Sequence, residues 1–438
     1  MKSREKTSEV IAINDNPTEL YSVKDTITKK ILPAVSTPVN KIKNIICFAH
    51  LRWDFVFQRP QHLLSRWVAD ANVYYVEEPK FGSSVNRLRT SKSKEGVTIV
   101  VPQLRDGLSE TEVDKYLEEA LSKFIKSNNI TNYLFWYLTP MALPFSHKLD
   151  PVMVVYDCMD ELSCFKGAHP DLLKNESMLL RFADVVFTGG HHLYEYKKDR
   201  HHNIHPFPSS IDQKHFESGI GQPDPEDQKG IPHPRVGFFG VIDERLDIEL
   251  LDGLAKSMPS VHFVMVGPVV KINSDHLPKA QNIHYLGQKS YQELPVYLAN
   301  WDVAFLPFAK NESTRFISPT KTPEYLCAGK PVVSSSIRDV VMPYGEQGLV
   351  FIADKVPDCA IAIQKALQQK DDVKWQKKVK DMLKKSSWDL TWSGMKKVIM
   401  TTLEKKEAIK KELIPVRNQL LKVNNNSKGT VSAANSML

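Results

Sequence analysis

The chain has 438 residues, of which 42% are hydrophobic and 25% are charged, and its formal net charge is +7. That length exceeds one ordinary domain and suits two domains of roughly 150–200 residues each. No apolar run approaches the roughly 20 residues that span a bilayer, and the N-terminal segment has no apolar signal-peptide stretch, so we expect a cytoplasmic protein. The mild positive charge permits an anionic partner, but no basic stripe interleaved with aromatic residues predicts nucleic-acid binding.

The first block of the chain alternates strand and helix patterns. Residues 1–42 are polar, which is typical of a mobile arm. Within 43–217, apolar runs that favour buried strands alternate with helical spacing. The predicted strands are NIICFAH (44–50), NVYYVEE (72–78), VTIVVP (97–102), NYLFWYL (132–138), PVMVVYD (151–157) and DVVFTGG (184–190). This alternation predicts a parallel sheet that helices cover on both faces.

A second block of the same kind follows a break. Residues 218–234 are rich in Gly, Pro and Asp, which predicts an interdomain linker. The pattern then restarts and fills residues 235–386. Its predicted strands are RVGFFG (235–240), VHFVMVG (261–267), NIHYLG (282–287), DVAFLPF (302–308), KPVVSSS (330–336) and GLVFI (348–352). The sequence therefore predicts an α/β protein with two Rossmann-like, doubly wound domains that face each other across a cleft.

The C-terminal end has two predicted parts. Residues 387–414 have a long helical pattern that either packs back on the first domain or forms an amphipathic surface helix. Its lysines fit a solvated face, and a peripheral contact with an anionic inner membrane is the alternative. Residues 415–438 have the composition of a disordered tail.

The cysteines and several absent motifs limit the chemistry. We expect reduced core thiols because the cysteines are odd in number and scattered, at Cys47, Cys158, Cys164, Cys327 and Cys359. The chain has no DxD triad for a metal-bridged diphosphate, no G-x-G-x-x-G after the first strand and no G-x-S-x-G. Five histidines in 191–205 fit a polar loop or helix face better than a metal site.

The second domain supplies candidate residues for binding a phosphorylated ligand. In open α/β sheets, ligands bind at the carboxyl ends of strands, where helix amino ends favour phosphate. Gly240 ends a predicted strand and allows backbone to approach a ligand closely. Arg245 follows near a helix start, where a guanidinium can pair with a diphosphate; the alternative is an ordinary surface arginine.

Residues 311–335 are the most informative stretch of the sequence. Ser318 or Thr320 can cap a helix, Lys321 would lie in its first turn, and Glu324 follows three residues later on the same face. A lysine at the positive end of a helix is unfavourable unless an anion is bound, so Lys321 suggests a phosphate. Glu324 can accept both hydroxyls of a ribose. A surface Lys–Glu pair is the alternative.

The first domain supplies candidate acceptor-side residues. Asp157 and Asp160 lie at or after the carboxyl end of a predicted strand, where a carboxylate can orient or deprotonate an acceptor hydroxyl. A helix cap or a structural hydrogen bond is the alternative. A group of polar and aromatic residues near the end of the first strand could contact acceptor phosphate or sugar, namely His50, Arg52, Trp53, Arg59 and His62.

Several of these segments resemble the GT-B glycosyltransferases of the family 4 and family 1-like groups. The resemblance spans about residues 43–412 and depends on G-F-F-G (237–240), with S-P-T-K-x-x-E-Y-L-x-A-G-K-P-V-V (318–333) as its most specific block. PFPSSIDQKHF (206–216) is similar to their segment before the interdomain linker, and SWDLTWSGM (387–395) to their C-terminal crossing segment. FAHLRWDFVFQRPQHLLSR (48–66) resembles the opening of bacterial members involved in surface-polysaccharide and teichuronic-acid synthesis.

The resemblance implies roles for individual residues. Arg245 and Lys321 would bind the donor diphosphate, Glu324 the ribose and Gly240 the phosphates, with the base near Gly267 and His284. One departure concerns the E-x7-E motif of the family, whose first glutamate lies near the sugar. Phe316 stands at that position here, so the sugar and the stereochemical outcome cannot be copied across.

The predicted function is transfer of a sugar from a nucleotide-diphosphate donor, by default UDP-linked, to a glycan or lipid-linked acceptor. No metal or other cofactor is expected, because cationic side chains and helix dipoles would compensate the diphosphate charge. Two other functions remain open: another enzyme on this architecture, such as a sugar-nucleotide epimerase, or a non-catalytic protein that binds nucleotide sugars. An assay without acceptor separates the epimerase, and donor binding without transfer would favour the binding protein.

Overall fold

The computed structural model describes the backbone of residues 42–434 and the side chains of residues 42–412. Residues Lys41–Leu438 form one compact unit. The arm predicted at 1–42 therefore lies, except for its last residue, outside the described residues.

The first sheet has eight strands in the order β3-β4-β2-β1-β5-β6-β7-β8. All its pairings are parallel except that of β3 with β4. The strands are β1 (Asn44–Ala49), β2 (Asn72–Glu77), β3 (Arg87–Lys92), β4 (Thr98–Gln103), β5 (Tyr133–Tyr137), β6 (Met153–Cys158), β7 (Val185–Thr188) and β8 (Ile204–Pro206). Strand β3 was not predicted, because its sequence RLRTSK lies exposed at the edge of the sheet and has no apolar pattern.

Buried apolar runs explain the central strands of this sheet. Every residue of β1 is buried, and alternate residues enter two separate cores. Ile45 and Cys47 belong to one core, whereas Ile46 and Phe48 belong to the other. Because successive side chains of a strand point to opposite faces, the sheet lies between two apolar layers. We call the part of the chain built on this sheet the first lobe.

The second sheet has six parallel strands in the order β11-β10-β9-β12-β13-β14. The strands are β9 (Arg235–Phe239), β10 (His262–Val266), β11 (Ile283–Gly287), β12 (Val303–Leu306), β13 (Val332–Ser334) and β14 (Val350–Ile352). This order reverses direction between β9 and β12, which makes the carboxyl ends of these strands the expected ligand position. We call the part built on this sheet the second lobe. The two sheets confirm the predicted fold class.

Helices cover both sheets and connect their strands. The α-helices are α1 (Arg59–Trp67), α2 (Glu110–Ser127), α3 (Leu143–Ser146), α4 (Leu172–Phe182), α5 (His191–Lys197), α6 (Gln213–Glu217), α7 (Ile248–Ser257), α8 (Leu294–Ala299), α9 (Lys321–Cys327), α10 (Arg338–Val340), α11 (Val356–Gln369), α12 (Val373–Leu383) and α13 (Trp388–Ala434). None of the helices in the described part of the chain is both long and apolar enough to cross a membrane.

The chain passes to the second lobe earlier than the predicted boundary at residue 217. Ile211 and Phe216 are buried in the core of the second lobe. The predicted linker at 218–234 also packs on this lobe, where the fully buried Gln228 accepts a hydrogen bond from the Trp301 indole at 2.9 Å. Gly and Pro content indicated a loop here; most of its residues are exposed, but the buried Gln228 and Ile231 fix it to the lobe.

The helix α13 returns to the first lobe, as one of the two readings of residues 387–414 predicts. Trp388 stacks on His62 with ring centroids 4.6 Å apart, and Arg66 donates to Asp389 at 2.6 Å. The helix α13 is assigned to Ala434, and the disordered tail at 415–438 stays a prediction.

Candidate active site

Two glycines form a bare backbone surface at the carboxyl ends of β9 and β10. Gly240 and Gly267 have φ of 141° and 146°, values that side-chain-bearing residues rarely adopt. An added Cβ on Gly267 would overlap the carbonyl oxygen of Gly240, and one on Gly240 would lie 2.9 Å from Lys321 Nζ. The structure thus brings together Gly240, Gly267 and Lys321, as predicted.

Lys321 and Glu324 are desolvated next to these glycines. Burial and the charge of Arg245 lower the pKa of Lys321 to about 8. Burial also raises the pKa of Glu324 to about 7, although the charge of Lys321 acts against it. Nothing among the described residues hydrogen-bonds the Glu324 carboxylate. Ionisable groups with pKa values shifted in this way are typical of binding sites, because a ligand of opposite charge or with hydrogen-bond donors stabilises their charged forms.

Arg245 lies at the same site but is partly engaged. Its Nε and Nη2 donate to the Asp243 carboxylate, at 2.9 and 2.7 Å, and its guanidinium lies 5.7 Å from the ring centroid of Phe165 in the first lobe. Asp243 was not predicted, since an aspartate in a loop has no distinguishing pattern. Arg245 therefore keeps Nη1 and the second N–H of Nη2 for a ligand, and this end of the guanidinium can still form a two-bond contact with a diphosphate.

The predicted caps of helix α9 are wrong. Thr320 occupies the position before the helix, but its hydroxyl makes no capping hydrogen bond, because its backbone is already helical (φ −57°, ψ −29°). The carbonyl of Ser318 accepts a hydrogen bond at 2.9 Å from the hydroxyl of Ser209, which follows β8. Both residues lie in the loop between β12 and α9, within the second lobe.

His284 lies in β11 and contacts another histidine. It is the second residue of β11, and its ring accepts or donates a hydrogen bond at 2.9 Å with His262, the first residue of β10. His284 pairs with Val264, and a strand rises about 3.3 Å per residue, so His284 lies about 10 Å from Gly267 along the sheet. Its place near a nucleotide base stays a prediction.

Arg59 and Asp157 neutralise each other. Arg59 Nη2 donates to Asp157 Oδ1 at 2.8 Å, and both side chains are almost fully buried. Arg59 Nη1 also donates to the carbonyl of Phe207 at 2.6 Å. A buried pair of this kind holds β6, α1 and the segment at Phe207 together, and removing one partner of the pair is costly. This pairing engages both side chains, and the acceptor-binding role of Arg59 and the catalytic role of Asp157 stay predictions.

Asp160 is better placed for chemistry. It follows β6, and the cations Arg245, Arg59 and Lys321 are close enough to act on its charge. Burial nevertheless raises the pKa of Asp160 above its ordinary value. A carboxylate of the first lobe therefore faces the cationic groups of the second lobe, which fits the predicted position of Asp160.

Of the four other predicted acceptor residues, only His50 is free toward the cleft. Its Nδ1 is buried and has no hydrogen-bond partner among the described residues. Arg52 instead holds Glu77, Trp53 is 4% exposed in the apolar core, and His62 packs between Trp388 and Tyr291. These three side chains make structural contacts. For His62 the reason is that α13 covers α1, a long-range contact that the sequence pattern does not reveal.

Phe316 and Asp339 of the second lobe contact helix α5 of the first lobe. The Phe316 ring lies 4.5 Å from that of Tyr196 and is buried in the first-lobe core. Asp339 accepts hydrogen bonds from the backbone of His191 and His192, at 2.9 and 3.0 Å. Asp339 caps α5 from the other lobe, a contact without any sequence signal. The described residues include no group of three or more His, Cys, Asp or Glu side chains that could hold a metal ion.

Two sequence comparisons relate the chain to known glycosyltransferases. Residues 233–369 match the family described as Glycosyl transferases group 1. TuaH of Bacillus subtilis, a glycosyltransferase whose name refers to teichuronic acid biosynthesis, is 22% identical over 279 residues, which are 58% of this chain and 68% of that protein.

Two solved structures share the fold at low identity. Sucrose-phosphate synthase from Thermosynechococcus elongatus is 13% identical with a TM-score of 0.64, over 83% of this chain and 100% of that one. HepE from Anabaena, solved with UDP, is 14% identical with a TM-score of 0.56, over 82% and 100%. The chain therefore has the GT-B fold, and its residues 233–369 match a group 1 glycosyl transferase domain.

Proposed function

We propose that this protein transfers a sugar from a UDP-linked donor to a glycan or lipid-linked acceptor in the synthesis of a cell-surface polysaccharide. The similarity to TuaH supports the polysaccharide, and the similarity to a UDP-bound structure supports the nucleotide. A cytoplasmic location and a contact of α13 with an anionic membrane stay predictions.

The observation that carries this proposal is the position of the Lys321 ammonium. It lies directly over Gly240, it is largely removed from water, and it forms no ion pair with an acid among the residues whose side chains the structure describes. A diphosphate placed on the Gly240–Gly267 surface would restore the lost solvation through charge-assisted hydrogen bonds. Arg245 Nη1 would add a second contact, and the Glu324 carboxylate would accept the ribose hydroxyls.

The chemical step uses groups from both lobes. The acceptor oxygen forms a bond with the anomeric carbon while the bond from that carbon to the diphosphate oxygen breaks. Asp160 would take the hydroxyl proton, and Lys321 and Arg245 would stabilise the negative charge that develops on the leaving diphosphate. We include metal independence in the proposal, since these cations do the work of a bridging ion; transfer should persist in excess EDTA.

Nucleotide binding tests the proposal directly. Titration calorimetry with UDP, GDP and dTDP should show tightest binding of UDP. Lys321→Ala should weaken UDP binding about 10- to 150-fold, as expected for loss of a charged hydrogen-bond donor worth about 1.5–3 kcal/mol. Lys256→Ala is the matched control, because Lys256 is an exposed lysine on α7 of the same lobe. Unchanged UDP affinity in Lys321→Ala would remove the donor site.

Transfer itself separates the remaining alternatives. Release of UDP from a UDP-sugar should require an acceptor preparation, such as membranes that carry polysaccharide precursors. Interconversion of UDP-sugars without acceptor would indicate an epimerase instead. UDP binding without turnover on any acceptor would indicate a protein that only binds nucleotide sugars.

A further inference from the structure

Glu244 is a buried carboxylate that the proposed function leaves unused. It lies in the loop between β9 and α7, beside Arg245. Both of its carboxylate oxygens are closed off from solvent and accept no hydrogen bond from the described residues. Lys271 Nζ lies 4.0 Å from Oε1, which is too far for a hydrogen bond.

The neighbouring carboxylate makes the contrast clear. Asp243 is also buried, but both of its oxygens accept hydrogen bonds from Arg245. Burying a carboxylate without such donors is costly, so native structures rarely retain one unless something completes it. Lys271 does not complete Glu244, because half of its own side chain remains exposed and its ammonium also lies over the Phe165 ring at 5.8 Å.

His50 presents a second unused acceptor from the other lobe. It directly follows β1, and its Nδ1 is buried without a partner. Burial lowers the pKa of His50 to about 4 against the effect of a hydrogen bond to the Leu138 backbone, and the charge of Lys271 lowers it further. His50 is thus neutral, with Nδ1 as an acceptor. Lys271 thus connects the two unsatisfied groups: its ammonium lies 4.0 Å from Glu244 Oε1, and its charge acts on His50 in the other lobe.

We infer that Glu244, with His50 Nδ1 across the cleft, binds hydroxyl groups of the sugar that this enzyme transfers. This inference rests on the proposed function, which places the diphosphate at Lys321 and Arg245, next to Glu244. Every unsatisfied atom here is a hydrogen-bond acceptor, so the matching ligand is rich in donors. Phe316 adds no polar group to this subsite, since its ring packs into the first lobe.

The charge of Glu244 also determines which sugars fit. A neutral hexose donates its hydroxyls to the carboxylate. A uronic acid would bring a second carboxylate close to Glu244, and like charges that face each other in a desolvated site oppose binding. The subsite is therefore built for neutral sugars.

The test measures the ratio of the UDP dissociation constant to that of each UDP-sugar. The probes are UDP-glucose, UDP-galactose, UDP-N-acetylglucosamine and UDP-glucuronate. For the neutral sugar with the highest ratio in wild type, Glu244→Gln should lower the ratio about five- to twentyfold, because bonds to a charged acceptor are stronger than bonds to a neutral one. UDP itself should bind within about twofold of wild type. Glu249→Gln, an exposed glutamate on α7, is the matched control.

Specific outcomes decide the matter. An unchanged ratio in Glu244→Gln, an equal loss of affinity for UDP itself, or a wild-type preference for UDP-glucuronate over every neutral sugar would each overturn the inference. Improved relative binding of UDP-glucuronate by Glu244→Gln would support it. Failure of the wild type to bind UDP would instead refute the proposed function, so the two failures are distinguishable.

Discussion

Raising the pH should weaken UDP binding, because the Lys321 ammonium loses its proton within an accessible range. Burial and Arg245 lower the pKa of this amine to about 8 in the ligand-free protein. A lowered pKa means that the charged form is disfavoured before the ligand arrives. A bound diphosphate favours the charged form and raises the pKa again, so binding above pH 8 requires uptake of a proton.

The size of the effect follows from this linkage. If the pKa of Lys321 in the complex exceeds about 10.5, the affinity falls about fivefold between pH 8 and pH 9 and approaches a tenfold fall per pH unit above that, or about 1.4 kcal/mol per unit. Between pH 7.5 and pH 9.5 the expected loss is about 25-fold. The phosphate groups of UDP change little over this range, because they titrate near pH 6 and are already ionised. Glu324, with a pKa of about 7, is largely ionised as well.

Titration calorimetry from pH 7.5 to 9.5, in buffers of different ionisation enthalpy, would measure both the affinity and the proton uptake. Lys321→Arg is the matched variant, because arginine keeps its charge throughout this range. It should bind UDP with a nearly constant affinity. A wild-type change of less than threefold, or an equal fall in Lys321→Arg, would refute the assignment of Lys321 to the diphosphate.

Three further predictions concern buried contacts: the ion pair inside the first lobe, the packing of α13 on that lobe, and the cap that the second lobe places on α5. Arg59→Ala should lower the free energy of unfolding by about 3–5 kcal/mol, since it leaves Asp157 buried and unpaired; a melting temperature equal to that of wild type would contradict this. Trp388→Ala should cost about 3–5 kcal/mol and raise hydrogen exchange in α1 and the start of α13, whereas unchanged protection would show that α13 does not depend on this ring. Asp339→Ala should cost about 0.5–2 kcal/mol through loss of the α5 cap and increase exchange at His191 and His192, and unaltered exchange there would exclude the cap.

The fold could be predicted because its signals are local. Each central strand is an apolar run and each helix has its own period, so the order of elements indicates two parallel sheets. The glycines at the ends of β9 and β10 and the lysine after Pro319 could be found for the same reason. Their chemistry follows from their position at a strand end or a helix start.

The contacts that were not predicted join polar residues that are distant in sequence. Arg59 and Asp157 are 98 residues apart, and nothing in either segment reveals that they pair. The same residue types at the same strand ends can bind a ligand or neutralise each other. Only the hydrogen-bond partners distinguish the two cases. Asp243 and Glu244 are adjacent in sequence, yet Asp243 accepts hydrogen bonds from Arg245 and Glu244 accepts none from the described residues.

The contacts between the lobes also limit how the site can work. Asp160 and Lys321 act on each other only while the lobes keep this arrangement, and the contacts of Phe316 and Asp339 with α5 stabilise it. Burial of one aromatic ring contributes about 1.5–3 kcal/mol and a helix cap about 1 kcal/mol. A ligand whose binding free energy differs between two arrangements of the lobes by more than these few kcal/mol can therefore change which arrangement is populated. Closure around the donor then brings the acceptor-side carboxylate to the reacting centre and excludes water, which would otherwise hydrolyse the donor.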